Sequence, residues 1–268
     1  MDLWIGKNLE KKWRKREGEN WITDLRDTGH RILWYTSYKL EKGQKKLLCI
    51  TDSETELKMI KGMGYPCICL ETLKNRIYGA ECVVEEEESI DDELCQWIFC
   101  HYYQIPTLIL ETKRLKVRET IPEDAESFYQ IYGDGNDRYL ERLPREMEEE
   151  KEILTSYFQN VYGFYGYGMW TVIEKKSEKV IGRAGIEPGE WEGEPVLEIG
   201  YVIGKQWQRK GYAFEVSSAI LEYAKKEIGE DTIYLKTEEE NRASIALAEK
   251  LGFQIKKKGK ICWFWKNL

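Results

Sequence analysis

Apolar and β-branched runs alternate with helical periodicities along the second half of the chain. Residues 196–203 (VLEIGYVI) form an almost uninterrupted apolar stretch, the pattern of a buried strand. Beyond residues 208–213 (QRKGYA), Phe214, Ser217, Ile220, Leu221 and Ala224 recur at helical spacing. Residues 232–237 predict another strand. Asn241 then stands as cap to a helix carrying Ile245, Leu247, Ala248 and Leu251, which ends at Gly252, and Phe253 opens a further strand segment. Upstream, residues 111–119 predict a strand and the segment from Pro122 a helix with acids in its first turn. Residues 146–162 predict a second helix, and residues 169–174, 179–187 and 196–203 three strands of an antiparallel meander.

The first hundred residues read differently. Trp4, Trp13 and Trp21 are eight or nine apart in a charged stretch, which predicts amphipathic helix over residues 1–28. Residues 31–37, 47–52, 65–71 and 81–84 predict short strands, and residues 53–62 and 90–102 predict helices. Ser53 and Glu56 have capping-box spacing. The sum is a small βαβ layer over residues 1–105, followed by a larger α/β unit over residues 106–268.

A strand that feeds a basic, glycine-containing loop opening a helix leaves backbone N–H groups unpaired at the positive end of a helix dipole. Such an arrangement binds phosphate. The order strand, QRKGYA, helix, strand, NRAS, helix, LGF resembles the acetyl-CoA-binding half of the GCN5-related N-acetyltransferase (GNAT) superfamily. EIGYVI followed by QRKGYA is most similar to the branch containing the ribosomal-protein alanine N-acetyltransferases. The resemblance covers roughly residues 111–268 and implies a mixed, largely antiparallel central sheet flanked by helices. It also implies that Gln208, Arg209, Lys210, Gly211, Tyr212 and Ala213 hold the pyrophosphate of acetyl-CoA. Tyr201, Val202 and Ile203 would pair with the pantetheine arm, Asn241 would bond it, and Ser244 lies one turn further on. Arg209 and Lys210 either add charge or face solvent, and Asn241 can be a helix cap as well as a ligand.

Acetyl transfer to an amine needs a base, because lysine and α-amino groups are largely protonated near neutrality. Both histidines precede residue 111, so no imidazole of the second half can serve. Glu198 is the candidate: it interrupts an apolar strand, where an unpaired carboxylate is costly unless it faces a polar cleft. Its place in EIGYVI matches a glutamate with the base role in related N-terminal acetyltransferases. The alternative is a salt-bridged or solvent-facing carboxylate. The tyrosine that many members carry before the LGF strand corresponds to Ala248, which puts a tyrosine acid from that helix in doubt. The aromatic, glycine-rich residues 162–170 either line the acceptor cleft or cover the core.

In the first part, residues 50–71 followed by GAECVVE resemble the last βαβ portion of the haloacid dehalogenase (HAD) fold, with Asp52 as its acidic strand end. No DxD precedes it, so a phosphoaspartate mechanism has no nucleophile, and a non-catalytic remnant is expected. The acidic residues 81–93 are expected to be solvated.

The net charge of −7, without a long basic stripe, argues against nucleic acid as partner. No stretch of about 18 apolar residues is present and the start lacks a secretory core, so a cytoplasmic protein without a membrane partner is expected. Seven cysteines without a CxxC pair point to buried reduced thiols and no metal. Two readings of function follow. One is an acetyl-CoA-dependent N-acetyltransferase acting on a peptide or small-molecule amine, with a second copy of the chain as a candidate partner in a homodimer. The other is a silent acyl-CoA-binding sensor or scaffold.

Overall fold

Strand pairing separates the chain into two parts, parallel in one and mainly antiparallel in the other. The computed structural model describes residues 1–16, 20–43, 45–71, 76–133, 139 and 142–268, and its two compact units are Met1–Ile105 and Pro106–Leu268.

The first unit contains β1 (Asp2–Ile5), α1 (Lys7–Trp13), α2 (Asn20–Asp27), β2 (Arg31–Trp34), β3 (Leu48–Thr51), α3 (Glu54–Gly62), β4 (Cys67–Leu70), β5 (Cys82–Val84) and α4 (Asp92–Tyr102). Its sheet has the order β2-β1-β3-β4-β5 and every pairing is parallel. All residues of β3 and β4 are buried, as befits a parallel sheet covered on both faces. Leu3 and Ile5 face Leu9, Trp13, Leu25 and Ile98 of α1, α2 and α4. Trp4, Cys49, Cys67 and Cys69 face Leu57 and Ile60 of α3. The cysteines are free, and burial pushes the Cys95 thiol up to about 12, so they serve as small apolar side chains.

Three expectations need correcting here. Residues 2–5 are a strand rather than the start of a helix: tertiary burial at the centre of the sheet overrides the tryptophan spacing, which splits Trp4 and Trp13 onto opposite faces. Residues 17–19 and the Trp21 side chain lie outside the described residues. Ser53 does cap α3, accepting from the Glu56 N–H at 3.4 Å, but the Glu56 carboxylate does not return to it. That carboxylate accepts from the Lys7 N–H at 3.1 Å and from the Thr51 hydroxyl at 2.5 Å. Nor is the acidic run wholly solvated, since buried Glu87 accepts from Trp13 Nε1 at 2.9 Å and pairs with Lys12. A buried carboxylate is tolerated where such partners replace water.

The second unit contains β6 (Leu108–Glu111), β7 (Leu115–Arg118), α5 (Ala125–Gly133), α6 (Met147–Tyr157), a π turn (Phe158–Tyr162), the single turn α7 (Gly163–Tyr165), β8 (Met169–Glu174), β9 (Lys179–Trp191), β10 (Glu194–Ile203), α8 (Tyr212–Tyr223), β11 (Thr232–Glu238), α9 (Arg242–Lys250), β12 (Gln254–Lys257) and β13 (Ile261–Asn267). The sheet order is β12-β13-β11-β10-β9-β8-β7-β6. Among these pairings only β10 with β11 is parallel. The strand expected over residues 111–119 is a hairpin, turned at Thr112, whose N–H bonds the Leu115 carbonyl and whose hydroxyl accepts from the Leu115 N–H. The expected meander is present but its last hairpin is longer: β9 and β10 continue to a two-residue turn in which Glu192 and Gly193 have φ of 53° and 87°.

Side chains of β10 alternate between the two faces. Ile199 and Ile203 join Val216, Ile220, Ala248 and Leu251 in the large core under α8 and α9. Val202 joins Phe128, Ile131 and Leu154 of α5 and α6. The aromatic segment is divided as well: Tyr162 is core and bonds the Thr120 N–H and Met169 carbonyl, whereas Phe164 is 80% exposed.

Candidate active site

The single parallel pairing sets the geometry. β10 meets β11 at one register position, Glu198 opposite Tyr234, whereas β10 stays paired with β9 from Glu194 to Ile203. Past Glu198 the two parallel strands part, so the edge of Tyr201, Val202 and Ile203 that faces β11 is not matched to it. The strand leads into Gln208, whose amide donates to the Ile203 carbonyl at 2.9 Å. Arg209 and Gly211 follow with φ of 61° and 82°, a conformation that exposes successive backbone N–H groups. Gly211 is the cap of α8 and no side chain occupies that cap, leaving the first-turn N–H groups of Tyr212, Ala213 and Phe214 without intrahelical partners.

Side chains of this loop turn away from the N–H groups. Lys210 Nζ donates to the Gln206 carbonyl at 2.9 Å and lies 5.1 Å from the Trp207 ring centroid, and Arg209 is exposed. The loop is braced from the other edge of the sheet. Arg114 donates to the Lys210 carbonyl at 2.9 Å, to Glu215 at 2.6 Å, and lies 4.2 Å over the Tyr212 ring. Burial would raise the Glu215 carboxyl, but hydrogen bonds from Thr112 and Arg114 outweigh it and hold the group below its usual range. Neither Arg114 nor Glu215 stood out in the sequence, because a basic residue in a turn carries no signal of a contact a hundred positions away.

On the α8/α9 side of the opening, Tyr201 and Ser244 meet, Oη to Oγ at 2.8 Å. Asn241 caps α9 by accepting from the Ser244 N–H at 3.2 Å, so its carbonyl is engaged within the helix and its NH2 is the group that could donate outward. Ala248 is fully buried in the core. The Tyr201 phenol therefore stands on the α9 side of the opening, against a helix that has Ala248 and no tyrosine of its own. Burial raises its pKa despite the Ser244 bond.

On the opposite face lies Glu198, 8% exposed and ion-paired with Lys236 of β11, whose Nζ is 3.1 Å and 3.0 Å from the two carboxylate oxygens. The carboxylate is therefore salt-bridged, which leaves its role as base a matter of what displaces Lys236. The carboxylate lies over Gly189, where a Cβ would come within 1.9 Å of Oε1. Glu187 is directly opposite Glu198 on β9 and accepts from Tyr157 Oη at 3.1 Å, which in turn accepts from the Met169 N–H at 2.7 Å. Desolvation first, then the Glu187 charge, drives the Tyr157 phenol far above its ordinary pKa. Lys236, Glu187 and Tyr157 were missed. Glu187 was recoverable, since four residues counted back from each side of the turn at Glu192-Gly193 bring it to Glu198.

Further along this face, Trp191, Tyr234 and Trp265 surround Lys256, whose Nζ lies 5.1 Å to 5.7 Å from their centroids. Among the described residues no group of three His, Cys, Asp or Glu side chains could hold a metal, and no helix is long and apolar enough to cross a membrane.

A mixed sheet whose one parallel pair splays beside an uncapped helix N-terminus is the architecture of an acyl-CoA-using transferase domain. The acetyltransferase (GNAT) domain family matches residues 114–254, more than half of the chain, and the chain belongs to that family. Uncharacterized protein YkkB of Bacillus subtilis is 33% identical over 93 residues, 35% of this chain and 54% of its own, so the chain spans about half the length of that relative. The uncharacterized N-acetyltransferase YnaD of the same organism is 30% identical over 145 residues, 54% of this chain and 82% of its own. Among solved structures, the acetyltransferase from Agrobacterium tumefaciens shares the fold with a TM-score of 0.50 at 20% identity, covering 59% of this chain and 94% of its own. RimL, a ribosomal L7/L12 α-N-protein acetyltransferase, aligns in complex with coenzyme A with a TM-score of 0.52 at 14% identity, over 60% of this chain and 98% of its own.

Proposed function

We propose that the chain is an acetyl-CoA-dependent N-acetyltransferase that transfers the acetyl group to a primary amine, a protein N-terminus or a small molecule, by direct attack on the thioester. The observation that carries this reading is the splay of β10 from β11 beyond Glu198, continuous with the open N-terminus of α8. In this reading the backbone of residues 208–213 binds the pyrophosphate, and Tyr201, Val202 and Ile203 pair with the pantetheine arm as an added strand would. The NH2 of Asn241 bonds the same arm.

Glu198 takes the proton of the incoming amine on one face of the sheet, and Tyr201, bonded to Ser244, delivers a proton to the departing thiolate on the other. The 2.8 Å contact between its hydroxyl and Ser244 Oγ places a donor on that side of the opening. The retained carboxylate favours an enzyme over a silent sensor. The first unit is an accessory without chemistry of its own, a reading supported by the carboxylate of Glu56 that fills the strand ends where a ligand of such a sheet would sit.

A thiol-release assay against a panel of amines tests the proposal. Glu198→Gln is expected to leave CoA affinity unchanged in calorimetry and to lower turnover at pH 7 on the order of 10²-fold, with recovery at high pH where the amine deprotonates unaided. Equal turnover of variant and parent across the pH range would remove Glu198 from the reaction.

A further inference from the structure

The proposed base already has an amine in contact with it. Lys236 is on β11 two residues past Tyr234, the residue that closes the only register pair with β10. Its Cα is thus at the first level of the opening, on the face that carries Glu198. Its ammonium bonds both oxygens of Glu198, at 3.1 Å and 3.0 Å, in the position that an amine acceptor would take against that carboxylate. The Lys236 side chain is 55% exposed and its Nζ lies 5.6 Å from the Trp263 ring centroid. A four-carbon stem held at one end by a strand and at the other by a single carboxylate can swing toward the opening without moving backbone.

From this juxtaposition we infer that Lys236 is an acetyl acceptor of the enzyme itself, and that acetyl-CoA bound in the splay acetylates Nζ within the same chain. The inference rests on the proposed N-acetyltransferase reading. In the step, Glu198 takes one proton from the ammonium and the free amine attacks the thioester carbon. The N–C bond forms, the C–S bond breaks, and the CoA thiolate leaves. The second proton lost from nitrogen balances the proton that converts the thiolate to the thiol. The product amide is neutral and no longer pairs with Glu198. Self-acetylation therefore exposes the base to an external amine, and the unmodified lysine is a built-in competitor for it. Being intramolecular, the reaction gains from the proximity of Nζ to the carboxylate.

The full chain is incubated with acetyl-CoA carrying a deuterated acetyl group, which separates new label from acetyl groups acquired during expression, and Lys236 is followed by peptide mass spectrometry. Labelling at Lys236 is expected to be at least about tenfold faster than at the exposed Lys58 and Lys226, first order in the enzyme–cofactor complex and independent of protein concentration. Glu198→Gln should slow it on the order of 10²-fold. Full acetylation of Lys236 on purification, absent from Glu198→Gln, would support the inference equally. Calorimetric CoA binding and the amine panel run beside it separate the outcomes. A protein that binds acetyl-CoA and acetylates added amines while Lys236 labels no faster than exposed lysines, or at a rate that rises with protein concentration, overturns the self-acetylation alone. A protein that neither binds acetyl-CoA nor releases thiol overturns both readings together.

Discussion

The first unit has a place where its strand order reverses, between β1 and β3, where ligands of α/β sheets favour binding, and the second has a parallel pair, β10 with β11, that meets at one register position. In the first unit a side chain of the protein is already there. The Glu56 carboxylate accepts from the Lys7 N–H and the Thr51 hydroxyl, so tightly that a Cβ on Gly6 would lie 2.2 Å from it. In the second unit the strands part, and the nearest helix begins with a glycine that offers no side chain to its N–H groups. Topology thus supplies the opportunity in both. What distinguishes a binding site from a well-packed turn is whether the chain has filled the vacancy itself.

That contrast can be attacked from either side. Of the two glycine substitutions, Gly189→Ala should be the more damaging to turnover, because its Cβ lands on the Glu198 carboxylate and forces it out of register with Lys236. Turnover is expected to fall about tenfold or more in the thiol-release assay, with CoA affinity retained. Next, Gly211→Val places a β-branched residue at φ 82° and should cost about 1–2 kcal/mol locally, weakening CoA binding roughly tenfold by calorimetry. A folded Gly211→Val protein with parental CoA affinity would refute the assignment of the loop.

In the filled crevice, Glu56→Ala should lower stability by about 1–3 kcal/mol in urea unfolding of the first unit while leaving CoA affinity as it was. The smallest effect is expected at Glu150, a buried carboxylate of α6 whose pKa is raised by desolvation against the opposing pull of Arg183. A carboxyl whose pKa is raised on folding contributes stability below its unfolded pKa and loses it as the pH climbs through the folded one. Glu150→Gln should therefore raise the melting temperature at pH 7, by an amount that shrinks as the pH drops into the ordinary carboxyl range.

The elements of the second unit were readable because each strand and helix there follows its own period and ends on a turn residue. The loop at residues 208–213 was readable because glycine at positive φ is a local demand. Residues 2–5 were not, since three apolar positions after an aspartate become a strand only when β2 and β3 arrive on either side. Glu198 could be singled out as a charge in an apolar run, but its pairing with Lys236 depends on a parallel register that no local pattern encodes. Tyr201 was placed for its backbone, and the side chain that reaches Ser244 emerged only with the packing of α9. The likeness of the first unit to a HAD remnant remains a proposal.

The bracing of the loop at residues 208–213 by Arg114 also bears on how the protein is made. Arg114 contacts Lys210 and Glu215 across 96 and 101 positions of sequence. Closing a span of that length costs entropy that is recovered only after the intervening strands have paired. The loop therefore acquires its binding shape late in folding, when the first hairpin of the unit has found the helix that follows the tenth strand, and a chain still emerging from synthesis cannot hold the cofactor until both are present.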